Sequence, residues 1–240
     1  MLEIIMTNEY SGVLFNTLTV ITGSLIGLIL GRAIPKKLTE ALMCAIGICT
    51  LYIGISGAVS AGSEPDSHPL IPIIAISVGC AIGTLLDIDG ALTRLGAAVE
   101  NKAKSKKTDG SAAEGFVSAC LLFCVGSMTI VGGLNAGISG DNTLYFTKGV
   151  LDFVSGMALS VSFGIGVLLS SVFVLLFQGA IVLCSGLIAP VLTTHMINEM
   201  NSVGSLLILI IGLNLTRITK IKVADYLPSI LIAMILAVFM

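Results

Sequence analysis

Lys148 and Asp152 stand four residues apart, and no further charge follows until Glu199. On a helix that spacing brings ammonium and carboxylate to one face. Two chemistries fit: an ion pair that anchors a helix end, or a carboxylate that takes up a proton or cation at the outer entrance of a membrane. His195 and Glu199 repeat the spacing, with Asn198 and Asn201 beside them. Two donors fall short of the three or four that a borderline metal wants. No metal is therefore assigned, and the pair reads as an outer helix cap or a solute gate. Gln178 lies deep in an apolar run and needs a partner.

A second group pairs small polar side chains with glycine. Asn16, Thr50 and Ser56 lie in early apolar stretches, Ser127, Thr129 and Asn135 in a later one, and Asn214 near the end. A lone hydroxyl in a helix can bond back to the carbonyl one turn earlier. The run Gly126-Ser-Met-Thr-Ile-Val-Gly132-Gly133-Leu-Asn135-Ala-Gly137 goes further, because the Gly132-Gly133 pair weakens the helical ladder. Peptide groups freed in hydrocarbon must be buried in protein or line a wet cavity. Asn16, Thr50, Ser56, Ser127, Thr129, Asn135, Asp152, Gln178, Glu199 and Asn214 are thus the candidate substrate path. Asn16, Ser56, Asn135, Asp152 and Glu199 are expected to converge on its outer half. The remaining glycines read as packing. Gly23, Gly27 and Gly31 make a smooth groove that admits another helix and offer a seam between two copies; Gly79, Gly83, Gly132 and Gly133 are similar.

No Gly-x-Ser-x-Gly elbow, P-loop, dinucleotide fingerprint or pair of intramembrane aspartates occurs, so neither an enzyme nor a cofactor is expected. The six cysteines all sit in apolar runs, where a thiol acts as a small hydrophobe. Cys120 and Cys124 share a helix face without a third ligand.

The elements that carry these residues follow from composition. Of 240 residues, 55% are hydrophobic and 11% charged, with mean hydropathy +1.06. That is too little charge to coat a soluble globule, and it excludes a disordered chain or a nucleic-acid binder. The pattern predicts an all-α polytopic transmembrane bundle of about eight spans, each near the roughly 20 residues that cross a bilayer. They fall at 12–31, 41–62, 70–86, 115–138, 148–170, 171–190, 198–216 and 226–240. The fifth and sixth are divided near Ser170-Ser171, since the uncharged window is too long for one crossing, and the seventh gains length if it begins near Thr193. Eleven of the 12 Lys and Arg fall in three loops, around Arg32–Lys37, Arg94–Lys107 and Arg217–Lys222. Eight spans put all three on the cytoplasmic side and both termini outside. The first nine residues carry no basic charge, so the first span reads as retained structure rather than a cleaved signal. An amphipathic helix over about 88–103 would lie on the cytoplasmic headgroups as a strut.

Within a single integral membrane domain, 1–240, internal similarity suggests repeat units of about 12–90, 114–172 and 172–240. Cys44–Ala58 aligns with Phe123–Gly137, and Val78–Leu86 with Val161–Leu169.

The stretch Gly115-Phe-Val-Ser-Ala-Cys-Leu-Leu-Phe-Cys-Val-Gly-Ser-Met-Thr-Ile-Val-Gly-Gly133 resembles the signature of a bacterial family of multi-pass membrane proteins catalogued as domain of unknown function 554. Asn16-Thr-x5-Gly23-x3-Gly27, Lys148-Gly-Val-Leu-Asp152, Val203-Gly-Ser-Leu-Leu-Ile-Leu, Ile211-Gly-Leu-Asn214-Leu and Ile221-Lys-Val-Ala-Asp-Tyr-Leu-Pro228 are similar to further motifs in the family's order. Gly83-Thr-Leu-Leu-Asp87 departs where a Gly-Glu pair belongs. The resemblance implies a bacterial cell membrane protein labelled for transport, with no established activity. The expected function is a secondary transporter or channel-like permease for a small solute, working as a homo-oligomer, with a dimer favoured. The competing expectation is a non-transporting scaffold or sensor acting through helix packing and its basic cytoplasmic segment. The expected partners are the lipid bilayer and a small solute or ion.

Overall fold

The computed structural model describes residues 8–33, 35–94, 112–125 and 127–240. The chain is all-helical, and no strand occurs among the described residues. In chain order the helices are α1 (Ser11–Ala33), α2 (Lys36–Gly62), α3 (Leu70–Leu85), α4 (Ile88–Arg94), α5 (Ala112–Cys124), α6 (Ser127–Ser139), α7 (Thr143–Phe163), α8 (Ile165–Leu183), α9 (Ser185–Ile188), α10 (Thr194–Leu215) and α11 (Pro228–Phe239). A 3-10 turn at Val223–Tyr226 precedes the last.

Four of these are long and apolar enough to cross a membrane: residues 11–31 of α1, 40–62 of α2, α8 and α10. The count reaches six if each bent pair is one span: α3 with α4, bent by 52°, and α5 with residues 128–139 of α6, bent by 57°. Apart from the four-residue α9, the remaining segments are α7, which carries the Lys148–Asp152 pair, and the shorter apolar stretch Val223–Phe239.

The helices group into two compact units, each assembled from two separate stretches of chain. Residues 1–35 and 107–192 form the first, 36–106 and 193–240 the second. Neither coincides with the stretches 12–90, 114–172 or 172–240.

In the first unit α1 lies along α7. Gly23, Gly27 and Gly31 face the backbone of Phe153, Met157 and Val161 in turn, so the two helices run parallel. A Cβ at Gly31 would stand 3.0 Å from the Val161 carbonyl oxygen, and at Gly23 or Gly27 it would collide outright. Backbones this close gain dispersion contact that larger residues forbid. The groove expected as a seam between two copies is therefore filled by α7 of the same chain. The broken pair α5/α6 runs parallel to α8, with Gly166 on Ala112, Gly133 on Ile181 and Gly137 on Val182 and Ser185.

The second unit uses the same device with opposite sense. Gly47, Gly54 and Gly57 of α2 meet Leu215 and Thr216, Leu209, and Ser205 of α10, an antiparallel pairing. Gly79 and Gly83 of α3 meet Ser229 and Asp225, again antiparallel.

Three sequence expectations shift. The fifth and sixth spans divide at Gly164, not at Ser170-Ser171. Gly164 has φ 65° and ψ −138°, a backbone conformation that only glycine adopts without strain. Ser170 and Ser171 instead sit inside α8, their hydroxyls bonded back to Val167 and Leu168 at 2.6 and 2.7 Å. The fourth span breaks between Cys124 and Ser127, while Gly132-Gly133 lies inside continuous helix. The aligned repeat segments also differ locally, since Cys44–Ala58 is unbroken helix whereas 123–137 and 161–169 each contain a break. Of the amphipathic helix expected over about 88–103, Ile88–Arg94 is helical; 95–103 and the lysines that follow lie outside the described residues. The seventh span does begin near Thr193, which caps α10 by accepting from the Met196 amide at 3.2 Å.

Candidate functional site

Four side chains meet inside the first unit: Asn16 on α1, Lys148 and Asp152 on α7, and Gln178 on α8. None is more than 6% exposed. Lys148 Nζ donates to Asp152 Oδ1 at 3.0 Å. Asn16 Nδ2 donates to Gln178 Oε1 at 3.1 Å, and the Asn16 amide also faces the Asp152 carboxylate. The glycine contacts bring these groups together. With α1 held against α7, residues 148, 152, 156 and 160 form one line along the α7 face, and Gly156 leaves room opposite Ser24 and Phe123.

Lysine and aspartate taken together out of water recover their desolvation cost only with good geometry and further hydrogen bonds. Here the hydrogen bonding is incomplete. Asp152 Oδ2, Asn16 Oδ1 and Gln178 Nε2 are buried without a partner among the described residues, as are the hydroxyls of Ser24 and Ser160 farther along the same seam. Each such atom costs about 1–3 kcal/mol when nothing meets it. A carboxylate oxygen with one amide acceptor and one amide donor beside it is the polar lining that a small ligand or ion requires.

The broken helix borders this cluster. Cys124, the last residue of α5, lies beside the Lys148–Asp152 pair. Beyond the break, Thr129 Oγ1 donates to the Phe123 carbonyl at 3.2 Å. The Tyr145 hydroxyl donates to the Thr129 carbonyl at 2.9 Å. It passes over Gly133, where a Cβ would stand 2.7 Å from that oxygen. Gly133 thus clears the way for Tyr145 rather than breaking the helix.

The other path candidates separate. Ser127 opens α6, and its side chain lies outside the described residues. Asn135 is half-buried near the end of α6, where its backbone carbonyl accepts from Ser139 Oγ at 2.7 Å. In the second unit Thr50 is buried and bonds back to Ile46 at 2.8 Å, while Ser56 is exposed. Asn214 is committed to a turn: its amide donates to the Ile221 carbonyl at 2.7 Å and accepts from the Ile221 amide and Thr219 hydroxyl at 3.0 and 2.7 Å. Glu199 is fully buried. Its Oε1 accepts the His68 amide at 2.7 Å, tying the loop before α3 to α10, while its Oε2 and both ring nitrogens of His195 have no partner among the described residues. No group of three His, Cys, Asp or Glu there or elsewhere among the described residues could hold a metal.

Sequence reasoning passed over Tyr145 and Asn142. Asn142 Oδ1 accepts the Gly12 amide at 3.0 Å and its amide donates to the Asn8 and Gly140 carbonyls at 3.1 and 3.0 Å, pinning the start of α1 to the start of α7. Its signal was the Gly140-Asp-Asn142 turn immediately before a helix.

A sequence model of the family described as "Protein of unknown function (DUF554)" matches residues 11–238. The chain belongs to this family. It is 33% identical over 221 residues to "Uncharacterized membrane protein YdfK" of Bacillus subtilis (strain 168), covering 92% of this chain and 93% of that protein. It is 28% identical over 226 residues to "Uncharacterized protein YqgA" of Escherichia coli (strain K12), covering 93% of this chain and 94% of that protein. No solved structure matches. The chain is thus a helical membrane protein of a family without an assigned activity.

Proposed function

We propose that the protein is a secondary transporter or channel-like permease for a small solute, and not an enzyme, with its path through the first unit at the Asn16–Lys148–Asp152–Gln178 cluster. The observation that carries this is a buried ion pair and amide pair, incompletely satisfied, beside a helix break. Broken spans with free polar groups at membrane depth are how many transporters bind their cargo. Thr50 and Asn214 make complete local bonds in the second unit, which favours a supporting role for their helices and moves the path away from them.

The parallel and antiparallel registers support eight spans. Counted along the chain, α1 with α7 are spans one and five, and α5/α6 with α8 are four and six; both pairs must be parallel. The pairs α2 with α10 and α3 with α11 are spans two and seven and three and eight, and must be antiparallel. With the positive loops inside, both termini lie outside the cytoplasm of a bacterial cell membrane.

Purified protein in liposomes tests the path. A panel of labelled amino acids, organic acids and inorganic ions is expected to yield at least one flux that Asp152→Asn and Asn16→Leu each lower at least tenfold. A flux indifferent to both substitutions, in protein that remains folded, removes the cluster from the path.

A further inference from the structure

We propose that the cluster in the first unit binds a small zwitterionic α-amino acid of the glycine or alanine type, with its ammonium group on Asp152 and Asn16 and its carboxylate on Lys148 and Gln178. This rests on the reading of that cluster as the transport site and names the class of solute that it takes.

The first support is the hydrogen-bonding capacity left over. Asp152 Oδ2 and Asn16 Oδ1 are acceptors without a donor among the described residues, and Gln178 Nε2 is a donor without an acceptor. An ammonium carries three donors, and the one hydrogen bond of Lys148 Nζ among the described residues goes to Asp152 Oδ1 at 3.0 Å. All four side chains are at least nine-tenths buried. Free acceptors thus stand beside free donors. An ammonium group only donates and a carboxylate only accepts, so a molecule that carries both on one carbon answers both halves of the site.

The second support is charge. Lys148 against Asp152 is neutral as it stands. A bound cation would leave an uncompensated positive charge in a low-dielectric interior and a bound anion a negative one, and both are costly. A zwitterion adds no net charge. Laid antiparallel to the ion pair, it makes a ring of alternating charges in which each meets two of opposite sign. An uncharged amide or alcohol keeps the balance too, yet brings no Coulomb attraction of its own to either ion. Lys148 Nζ and Asp152 Oδ1 stand 3.0 Å apart, a short dipole that matches charges borne by one carbon and not those at the ends of a longer chain.

Size follows from the seam between α1 and α7. A Cβ at Gly23 or Gly27 would collide with the α7 backbone. At Gly156, one turn from Asp152, it would meet Ser24 Oγ at 3.5 Å and Phe123 Cζ at 3.7 Å, which is ordinary contact. The seam beside the cluster therefore has the room of a methyl group, which suits hydrogen or methyl as the ligand's side chain and excludes a bulky one. Among the described residues one hydrogen bond, Asn16 to Gln178 at 3.1 Å, joins α1 to α8. Opening it admits the ligand without parting the ion pair.

The experiment uses the full chain in lipid nanodiscs at neutral pH and reads binding by titration calorimetry. Glycine and L-alanine are the probes; ethylamine, propionate, acetamide, γ-aminobutyrate and L-phenylalanine are the comparisons. Both probes are expected to bind at least about tenfold more tightly than every comparison, the margin of one lost charge-assisted contact. Lys148→Met leaves a net negative site, which should lose L-alanine and gain ethylamine. Asp152→Asn leaves a net positive site, which should lose L-alanine and gain propionate. A packing role for the pair produces no such inversion. Gln178→Leu keeps both charges, serves if the charge variants fail to fold, and should weaken L-alanine about tenfold. Ethylamine, propionate or acetamide that binds the unsubstituted protein as tightly as L-alanine overturns the proposal, as does L-alanine binding indifferent to Gln178→Leu. No binding of either probe also overturns it, and an Asp152-dependent flux of another solute in liposomes then leaves the transport reading standing. Selective L-alanine binding in nanodiscs without any flux in liposomes supports the zwitterion site and overturns the transport reading.

Discussion

Lys148 holds Asp152 inside the bundle, and each is the only charge neutralising the other among the described residues around them. Removing one partner strands a buried charge, a change that costs about 3–5 kcal/mol, whereas replacing both with apolar groups of similar volume is close to neutral. Lys148→Met is therefore expected to lower unfolding stability by that amount, and Lys148→Met with Asp152→Leu to recover most of the loss, as read by denaturation in detergent. Tyr145 carries a smaller term. Tyr145→Phe removes the bond to Thr129, worth about 0.5–1.5 kcal/mol. Gly133→Ala should cost at least as much, because its Cβ would occupy the space beside the Tyr145 hydroxyl. In the double variant the two losses should fall short of adding, since both act on one bond. Spacing in the sequence made Lys148 with Asp152 legible as a pair and singled out Gln178 as in need of a partner. That the partner is Asn16, 162 residues away, was not legible, because no local periodicity encodes which distant helix arrives opposite.

At the scale of elements, glycine sets how closely paired helices approach. The α1 groove was readable as a packing surface from Gly23-x3-Gly27-x3-Gly31, but not the identity of its occupant. A groove of small residues fits any helix of matching shape, and the choice of α7 depends on long-range closure. Gly27→Leu is expected to force α1 from α7 and, by displacing Asn16, to disturb the polar cluster as well as fold stability. Leu18→Ala on the exposed side of α1 should leave both nearly unchanged, judged by thermal denaturation and cysteine accessibility. Gly132-Gly133 and Gly164 show what a sequence states and what it conceals. Gly132-Gly133 advertises a weak point, yet Tyr145 and Ile181 pack against those glycines and the helix continues. Gly164 gives one glycine's worth of warning, but its positive φ ends α7 and starts α8 within one residue.

At the scale of the whole molecule, composition established helix and membrane, and the three basic loops established orientation as an expectation. Reporter fusions at the N-terminus and after Met240 should both read as extracytoplasmic, and fusions in the loops near Arg32 and Lys220 as cytoplasmic. A cytoplasmic reading at one terminus alone would require an odd span count, and cytoplasmic readings at both would keep eight spans and invert the outer position given to Asn16 and Asp152. The interleaving of the two units was hidden from sequence, since contiguous stretches are the natural first guess for a repeat and nothing in hydropathy marks which neighbours in the chain part company in space.

That interleaving bears on how the protein is made. Asn16 is inserted long before Gln178 exists; at about 5–20 residues per second, synthesis of the 162 residues between them takes roughly 10–30 s. Through that interval a polar amide waits among lipid tails without its eventual mate, as do the bare glycine surfaces of α1 and α2. Nascent chains of this architecture should therefore lean on whatever holds unpaired helices at the site of insertion, and stalling translation before α7 emerges should leave an N-terminal fragment that quality-control proteases clear quickly.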